Sequence, residues 1–499
     1  MKKKDMFFIM LFFIVLFSLI GYTIYFFMTD VRVTPIEDSV LRSEILTELG
    51  MKKYEDDDKR PSKSDLKKLR ALVIDFEETE AQAVKSLEGI QHAEELERLV
   101  IHEHEIDDLE PLESLSKLHT LNLSYFKWEG LIRTKEPERT IKDIDALTKI
   151  NSLRVLHLSG QDINDISMLG DMDQLEELYL GNNHLDEIPT SIQELKNLKV
   201  LYLLENNLAN IDALEDVVNL EELDLEENHI EDFQALGGMT SLKVLNIIKN
   251  GDNISDLSFL SGLESLENLD ISFPEGIDYT PLGEAPNLKE LTVFNSKVDT
   301  FEFLPKTSLL EKITLLDGGL TSLDGLQHAK NLYNLHVSSN EIKSLKPLKS
   351  LENLERLSIS DNNIKNIKPL RELVKLRHLD LDKNHISSLE PLENLTKLNE
   401  LSLRKNKPED LDVIKNLKFL KRLWLDDNDI NDIEFLSNLK ELEMLSLKNN
   451  NIKDFQPLLG LTELKHLWVD DNPGSKDKQV FKDLEEQNGN MKIDVFEGE

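Results

Sequence analysis

Between Leu332 and Asn472 the pattern L-x-x-L-x-L-x-x-N returns at a fixed step of 22 residues. Asn340, Asn362, Asn384, Asn406, Asn428, Asn450 and Asn472 close the successive units. A period of this length, kept without slip, restricts the chain to stacked coils that grow in one dimension. Within a unit, L-x-x-L-x-L alternates apolar and polar residues, the period-two signature of a strand with one buried face. In Leu423-Trp424-Leu425 the leucines point inward and Trp424 outward. An apolar residue two after the Asn (Ile342, Ile364, Ile386, Ile430, Ile452) turns the chain back under the core. Pro347, Pro369, Pro391 and Pro457 mark where a short helical return begins, a position suited to proline. No single coil can bury its own leucines, so neighbours stack into a continuous core and a parallel sheet. The Asn is expected inside the turn, where its amide satisfies backbone groups that no strand reaches.

Leucines that open a unit stand at 69, 96, 118, 153, 175, 198, 220, 242, 266, 288, 310 and 332, then on to 464, which makes about 18 coils over residues 69–472. Most steps are 22, and the longest, from Leu118 to Leu153, is 35. It inserts a rim loop near residues 127–140 that carries Trp128, and such loops often bind. The Asn position is filled otherwise at Glu77, His104, Phe126 and Gln161 in the first coils, and at Pro274, Ser296 and Gly318 in the middle. Residues 270–320 are therefore expected to be the softest internal section.

Residues 2–4 are lysines, and residues 6–28 then run without a charge. At 1.5 Å per residue this is roughly 34 Å, enough for a bilayer core of about 30 Å. It is longer than the apolar region of a cleavable signal and has no small-residue cleavage site, so an uncleaved transmembrane helix is expected over residues 1–30. Lysines before it and acids after it place the N-terminus in the cytoplasm and the repeats outside the cell. Residues 31–68 read as a helical N-terminal cap. Thr34 and Glu37 form a capping box for a helix ending at Gly50, with Val40, Leu41, Ile45 and Leu49 on one face, and Ser64–Leu69 forms a further turn. Residues 473–499 read as a C-terminal cap, with a helix over Lys476–Glu486 and a last strand over Met491–Phe496. No wall-sorting tail or second hydrophobic span follows.

The chain has 58 Lys+Arg against 95 Asp+Glu, a formal charge of −37, which argues against nucleic acid. It has no cysteine, which excludes disulfides, thiolate zinc sites, a cysteine nucleophile and a lipid anchor on cysteine. No phosphate loop, serine elbow or H-E-x-x-H occurs, so no enzyme and no cofactor is expected. His102-Glu103-His104 and Asp426-Asp427-Asn428-Asp429 hold metal-ligand residue types. But His104 falls on the Asn position and is assigned a structural role, and the acidic run lacks the glycine turn and distal Glu of a calcium loop.

Eighteen strands about 4.8 Å apart give an inner arc of roughly 80 Å. Its outward positions are mostly polar, so the large apolar groups among them are the candidate ligand-binding residues: Trp424, Trp468, Tyr179, Tyr202 and Phe294, with Trp128 on the rim loop. Trp424 and Trp468 flank Ser446, a slot about 10 Å wide at twice the strand spacing, suited to a proline, an aromatic ring or a sugar.

The form L-x-x-L-x-L-x-x-N-x-I-x-x-[IL]-x-[PF]-L resembles the internalin class of bacterial leucine-rich repeats. Leu46-x-x-Leu49-Gly50, Asp65-Leu66-x-x-Leu69 and Leu87-Glu88-Gly89-Ile90 resemble the way such proteins pass from a helical cap into their first coils. The likeness covers about residues 35–499. It implies a surface protein of a Gram-positive bacterium that holds another protein on its concave face. The chain departs from that pattern in its N-terminal anchor and in lacking a following immunoglobulin-like or wall-binding module. The fold expected is an α/β leucine-rich-repeat solenoid with a concave parallel sheet, short helical or 3-10 returns on the convex side, a helical cap and a transmembrane helix. The expected role is protein binding. A regulatory scaffold for an enzyme and a polysaccharide-binding adhesin are the alternatives, the latter resting on the Trp slot alone.

Overall fold

The computed structural model describes residues 36–51, 60–74, 83–125, 140–250, 254, 256–272, 277–294, 298–306, 308–489 and 492–494. The expected membrane segment 6–28, the Thr34 end of the first cap helix, Trp128 with nearly all of its loop, Pro274 and Ser296 lie outside the described residues. Among the described residues no helix is long and apolar enough to cross a membrane. The chain forms two compact units, the first ending at His229 and the second beginning at Ile230.

In the first unit, helix α1 (Ser39–Glu48) starts from Asp38, whose carboxylate accepts from the Val40 and Leu41 amides at 3.0 and 2.9 Å. The start is thus set by Asp38. The buried face is Leu41, Ile45 and Leu46, with Val40 and Leu49 half-buried, which shifts the expected apolar face. The expected turn over Ser64–Leu69 is a helix one residue earlier and shorter, α2 (Lys63–Leu66). Ser62 and Asp65 close a reciprocal capping box on it. Among the described residues seven strands follow and pair in parallel in chain order, including β4 (Val155–His157), β5 (Glu177–Tyr179), β6 (Val200–Tyr202) and β7 (Glu222–Asp224). The second unit continues the pattern from β8 (Val244–Ile247) to β18 (His466–Trp468). It ends with helix α3 (Lys478–Asn488) and β19 (Lys492–Asp494). That helix begins and ends two residues later than the sequence suggested, because Asp477 caps it and Gly489 stops it.

The register advances by one repeat per strand: Leu357 stands opposite Leu379, and Leu379 opposite Leu401. The inward leucines are buried. The returns are 3-10 turns of three to six residues, with Pro347, Pro369, Pro391 and Pro457 each second in its turn. A leg this short closes i to i+3 bonds before an α-helix can propagate.

The Asn rung works as the pattern requires. The Asn384 side chain is buried and its Nδ2 donates to the carbonyls of Ile359, Leu381 and Asp382 at 3.0, 3.1 and 3.0 Å. Its Oδ1 accepts from the Ile364 amide, in the preceding coil, at 3.0 Å. The residue before each of the seven rungs from Asn340 to Asn472 is left-handed, with φ between 48° and 59°. Two first-unit substitutes also satisfy backbone groups at the rung, Gln161 by reaching back as Asn384 does and His104 by reaching forward to the next coil. Gln161 donates to Leu123 O at 2.8 Å and accepts from the Ile141 amide at 3.0 Å. His104, only 2 % exposed, lies 2.9 Å from Leu123 O through Nε2 and accepts from the Ile106 amide through Nδ1 at 3.0 Å. That pairing requires the proton on Nε2, and burial pushes the ring down to about 4. The structural role expected of His104 is the one it fills.

Candidate functional site

Strand alternation brings one outward residue from each coil into a column. In the first unit that column runs His157, Tyr179, Tyr202 on β4, β5 and β6. The His157 and Tyr179 rings stack with centroids 3.8 Å apart and planes 4° from parallel. Tyr202 meets Tyr179 edge-on at 4.9 Å. The Tyr179 hydroxyl donates to Glu177 Oε2 at 3.0 Å and the Tyr202 hydroxyl to Glu222 Oε2 at 3.1 Å. Burial first, then these carboxylates, push both phenols up, Tyr202 to about 12, so both remain donors. Burial holds His157 neutral, at about 4, with the nearby His102 and Arg98 adding to the effect.

Val155 and Val200 lie half-buried beside the stack. Leu204 lies across Gly181, where a Cβ would come within 2.6 Å of its Cδ2, so only glycine lets that side chain settle there. The neighbouring carboxylates Glu176 and Glu221 are paired with Arg154 and Lys199. Glu177 and Glu222 form no ion pair among the described residues. The result is an apolar, aromatic floor edged by two uncompensated carboxylates.

In the second unit Trp424, Ser446 and Trp468 occupy one column on β16 (Arg422–Trp424), β17 (Met444–Ser446) and β18. The two indoles thus flank Ser446, but Ser446 is itself 4 % exposed and donates to Asp426. The Arg404 guanidinium lies 5.3 Å from the Trp424 ring centroid and pairs with Asp426 at 3.2 Å and Asp382 at 3.7 Å. His466 stacks against Trp468 at 5.7 Å. Each indole therefore already has a neighbour on one side. Burial raises the Asp382 carboxyl to about 6, against the opposing hydrogen bond from Ser402. Phe294 ends β10 (Glu290–Phe294) beside Leu316 of β11 (Lys312–Leu316), 37 % exposed and six coils from Trp424. The structure thus joins Tyr179 with Tyr202 and sets Trp424 and Trp468 two coils apart, with the coil of Ser446 between them, but it leaves Phe294 alone.

His157, Arg404 and the His378–Glu400–Arg422 cluster were not among the sequence candidates. His378 Nδ1 lies 2.9 Å, and Arg422 Nη1 3.4 Å, from Glu400 Oε2. The signal for His157 was available: it stands 22 residues before Tyr179, in the same column. Among the described residues no group of side chains is arranged to hold a metal ion.

The leucine-rich repeat region family matches residues 137–327, and the family of paired leucine-rich repeats matches residues 352–394, 374–416 and 418–459. Together these segments span more than half of the chain. No curated protein matches the sequence. Among solved structures, a leucine-rich-repeat protein of Leptospira interrogans is 23% identical, with 87% of this chain and 97% of that chain covered and a TM-score of 0.57. The internalin InlF of Listeria monocytogenes is 24% identical over 82% of this chain and 95% of its own, with a TM-score of 0.47. The ectodomain of the Arabidopsis thaliana receptor kinase GASSHO1/SCHENGEN3, solved with CASPARIAN STRIP INTEGRITY FACTOR 2, is 19% identical over 81% of this chain and 53% of its own, with a TM-score of 0.59. The stacked parallel strands, the Asn rungs, the 3-10 returns and the matched repeats agree: the chain is a leucine-rich-repeat protein built largely on a 22-residue coil.

Proposed function

We propose that this protein is a membrane-tethered binding module that holds a protein partner on the solvent face of its sheet, outside the cell. The observation that carries the reading is the His157–Tyr179–Tyr202 column with Glu177 and Glu222 beside it. Rigid half-buried rings offer contact area at low entropic cost, and uncompensated carboxylates favour a cationic group. The partner segment is therefore one that presents lysine or arginine next to an apolar or aromatic side chain. The formal charge of −37 draws such a partner in over a longer range. The tether is the uncharged segment 6–28, with the three lysines before it setting its orientation. The polysaccharide alternative has less support, since Arg404 and His466 take one side of each indole.

The test has two parts. Protease shaving of intact cells, followed with an antibody to the C-terminal cap, is expected to remove the signal. Protection until lysis would reverse the topology and leave a regulatory scaffold as the better reading. Cross-linking on cells carrying the full-length protein is then compared with Tyr179→Ala/Tyr202→Ala and Glu177→Gln/Glu222→Gln. Both pairs are expected to lose the cross-linked partner, while undiminished capture by both would place the binding face elsewhere.

A further inference from the structure

The coil that opens at Leu398 breaks the repeat in one place: Pro408 stands where Ile364, Ile386, Ile430 and Ile452 stand in other coils. In those coils the amide two after the Asn donates to the next Asn, as Ile386 N–H does to Asn406 Oδ1 at 3.0 Å. Proline has no such proton. Asn428 Oδ1 is left with the Asn406 amide alone, at 2.9 Å, whereas Asn450 Oδ1 accepts from both the Asn428 and the Ile430 amides. The return leg that follows is the six-residue turn Leu411–Asn416. Leu411 is half-exposed where Leu389 and Ile433 are buried. Asp410 holds the start of this leg, accepting from the Leu389 amide at 2.7 Å.

Beside this departure lies a cleft of about 650 Å³, within the range of small-ligand sites. Lys383, Lys405, Lys407 and His385 line it, against Glu409 and Asp427. Three lysines converge here on a chain whose carboxylates outnumber its cations 95 to 58. Lys383 and Lys407 hold only long pairs, each 3.6 Å from Asp361 and Asp429, between exposed side chains. Lys405 has no ion pair among the described residues. Lys383 and Lys405 both extend from left-handed positions, φ 48° and 53°, which fixes their exit beside the rungs.

We infer that this cleft binds a phosphate-bearing ligand through Lys383, Lys405 and Lys407. Lysine is a compact point charge that accepts a phosphate from any direction. Planar carboxylate recognition instead favours the arginine fork, and no arginine lines the cleft. The volume exceeds what one phosphate needs and admits either a phosphorylated small molecule or a short stretch of a phosphate polymer. The site is separate from the sheet face and does not rest on the partner reading above.

The test uses the full-length protein in a phosphate-free detergent and reads ³¹P line broadening. The probes are inorganic phosphate, glycerol 3-phosphate and sodium polyphosphate, each at constant ionic strength. Lys383→Gln/Lys405→Gln/Lys407→Gln is compared with Lys343→Gln/Lys346→Gln/Lys365→Gln, which removes equal charge from exposed positions outside the cleft. Saturable binding is expected, weakened about tenfold or more in the cleft variant as charge-assisted contacts are lost, and unchanged in the other. Tighter binding of glycerol 3-phosphate than of inorganic phosphate identifies a phosphorylated small molecule, and a strong preference for polyphosphate identifies a polymer. No saturable binding, or equal loss in both triple variants, overturns the assignment. Lys405→Gln alone, at an exposed position, keeps the test decisive if the triple variant unfolds.

Discussion

Replacing Asn384 by alanine measures what a rung of the amide ladder contributes. The side chain makes four hydrogen bonds, but they are not equally hard to lose. Ile359 O also accepts from Asn362 Nδ2, Leu381 O from Asn406 Nδ2, and Asp382 O from the Asp361 amide. Each carbonyl therefore keeps a donor. The Ile364 amide loses its acceptor, Asn384 Oδ1, and is left unpaired among buried leucines. One orphaned buried amide costs about 1–3 kcal/mol. Three weakened carbonyls and a small void bring the expected loss to about 2–4 kcal/mol. In urea, with a slope of about 3 kcal/mol/M, that lowers the unfolding midpoint by roughly 1 M. Trp424 and Trp468 fluorescence reports the second unit, and hydrogen exchange at the Ile364 amide reports the bond itself. A midpoint shift of less than about 0.2 M with unchanged exchange would mean that the rungs merely fill space.

Three further outcomes are expected. His104 has its folded value lowered to about 4 from 6.5, so its contribution is complete above 6.5 and lost as pH falls toward 4. His104→Asn should flatten that part of the stability-against-pH curve for the first unit, and an unchanged acid slope would remove His104 as its source. Asp382 has its folded value raised to about 6 from 3.8, so the folded state loses stability as pH rises from about 4 to about 6. Asp382→Asn should abolish that decline, checked by urea midpoints across the interval, and a parallel curve would refute it. Amides in residues 270–320 should exchange faster than those in residues 340–450, and equal rates would show that Asn rungs do not set local stability.

What could be read in the sequence was whatever repeats. The strand register, the inward leucines and the Asn rungs follow from a step of 22, because one step maps each residue onto its neighbour in the next coil. Element ends were harder to read. The first helix starts from Asp38 and the second from Ser62, because side-chain geometry at the cap chooses among several polar residues in a row. The sheet face was partly legible: Tyr179 and Tyr202 stand out as aromatic, whereas His157 joins them only once imidazole is counted as a ring. Arg404 over Trp424 was hidden, since the two lie in different columns and meet only diagonally. Pro408 was visible as a gap in the run of isoleucines, but the donor missing at Asn428 and the cleft beside it emerge only in the folded chain.

The rungs also have a direction. Asn384 reaches back to Ile359 and Ile364 in the preceding coil, and Asn406 reaches back to Leu381 and Ile386 in the same way. In the Asn-bearing coils the clasp between two coils belongs to the later one, whereas His104 reaches forward to Leu123 O in the next coil. A chain emerging N-terminus first from the ribosome can therefore fasten each Asn-bearing coil as soon as that coil's own Asn appears. That clasp waits for nothing still unmade, so along the Asn-bearing coils the order of synthesis becomes the order of assembly.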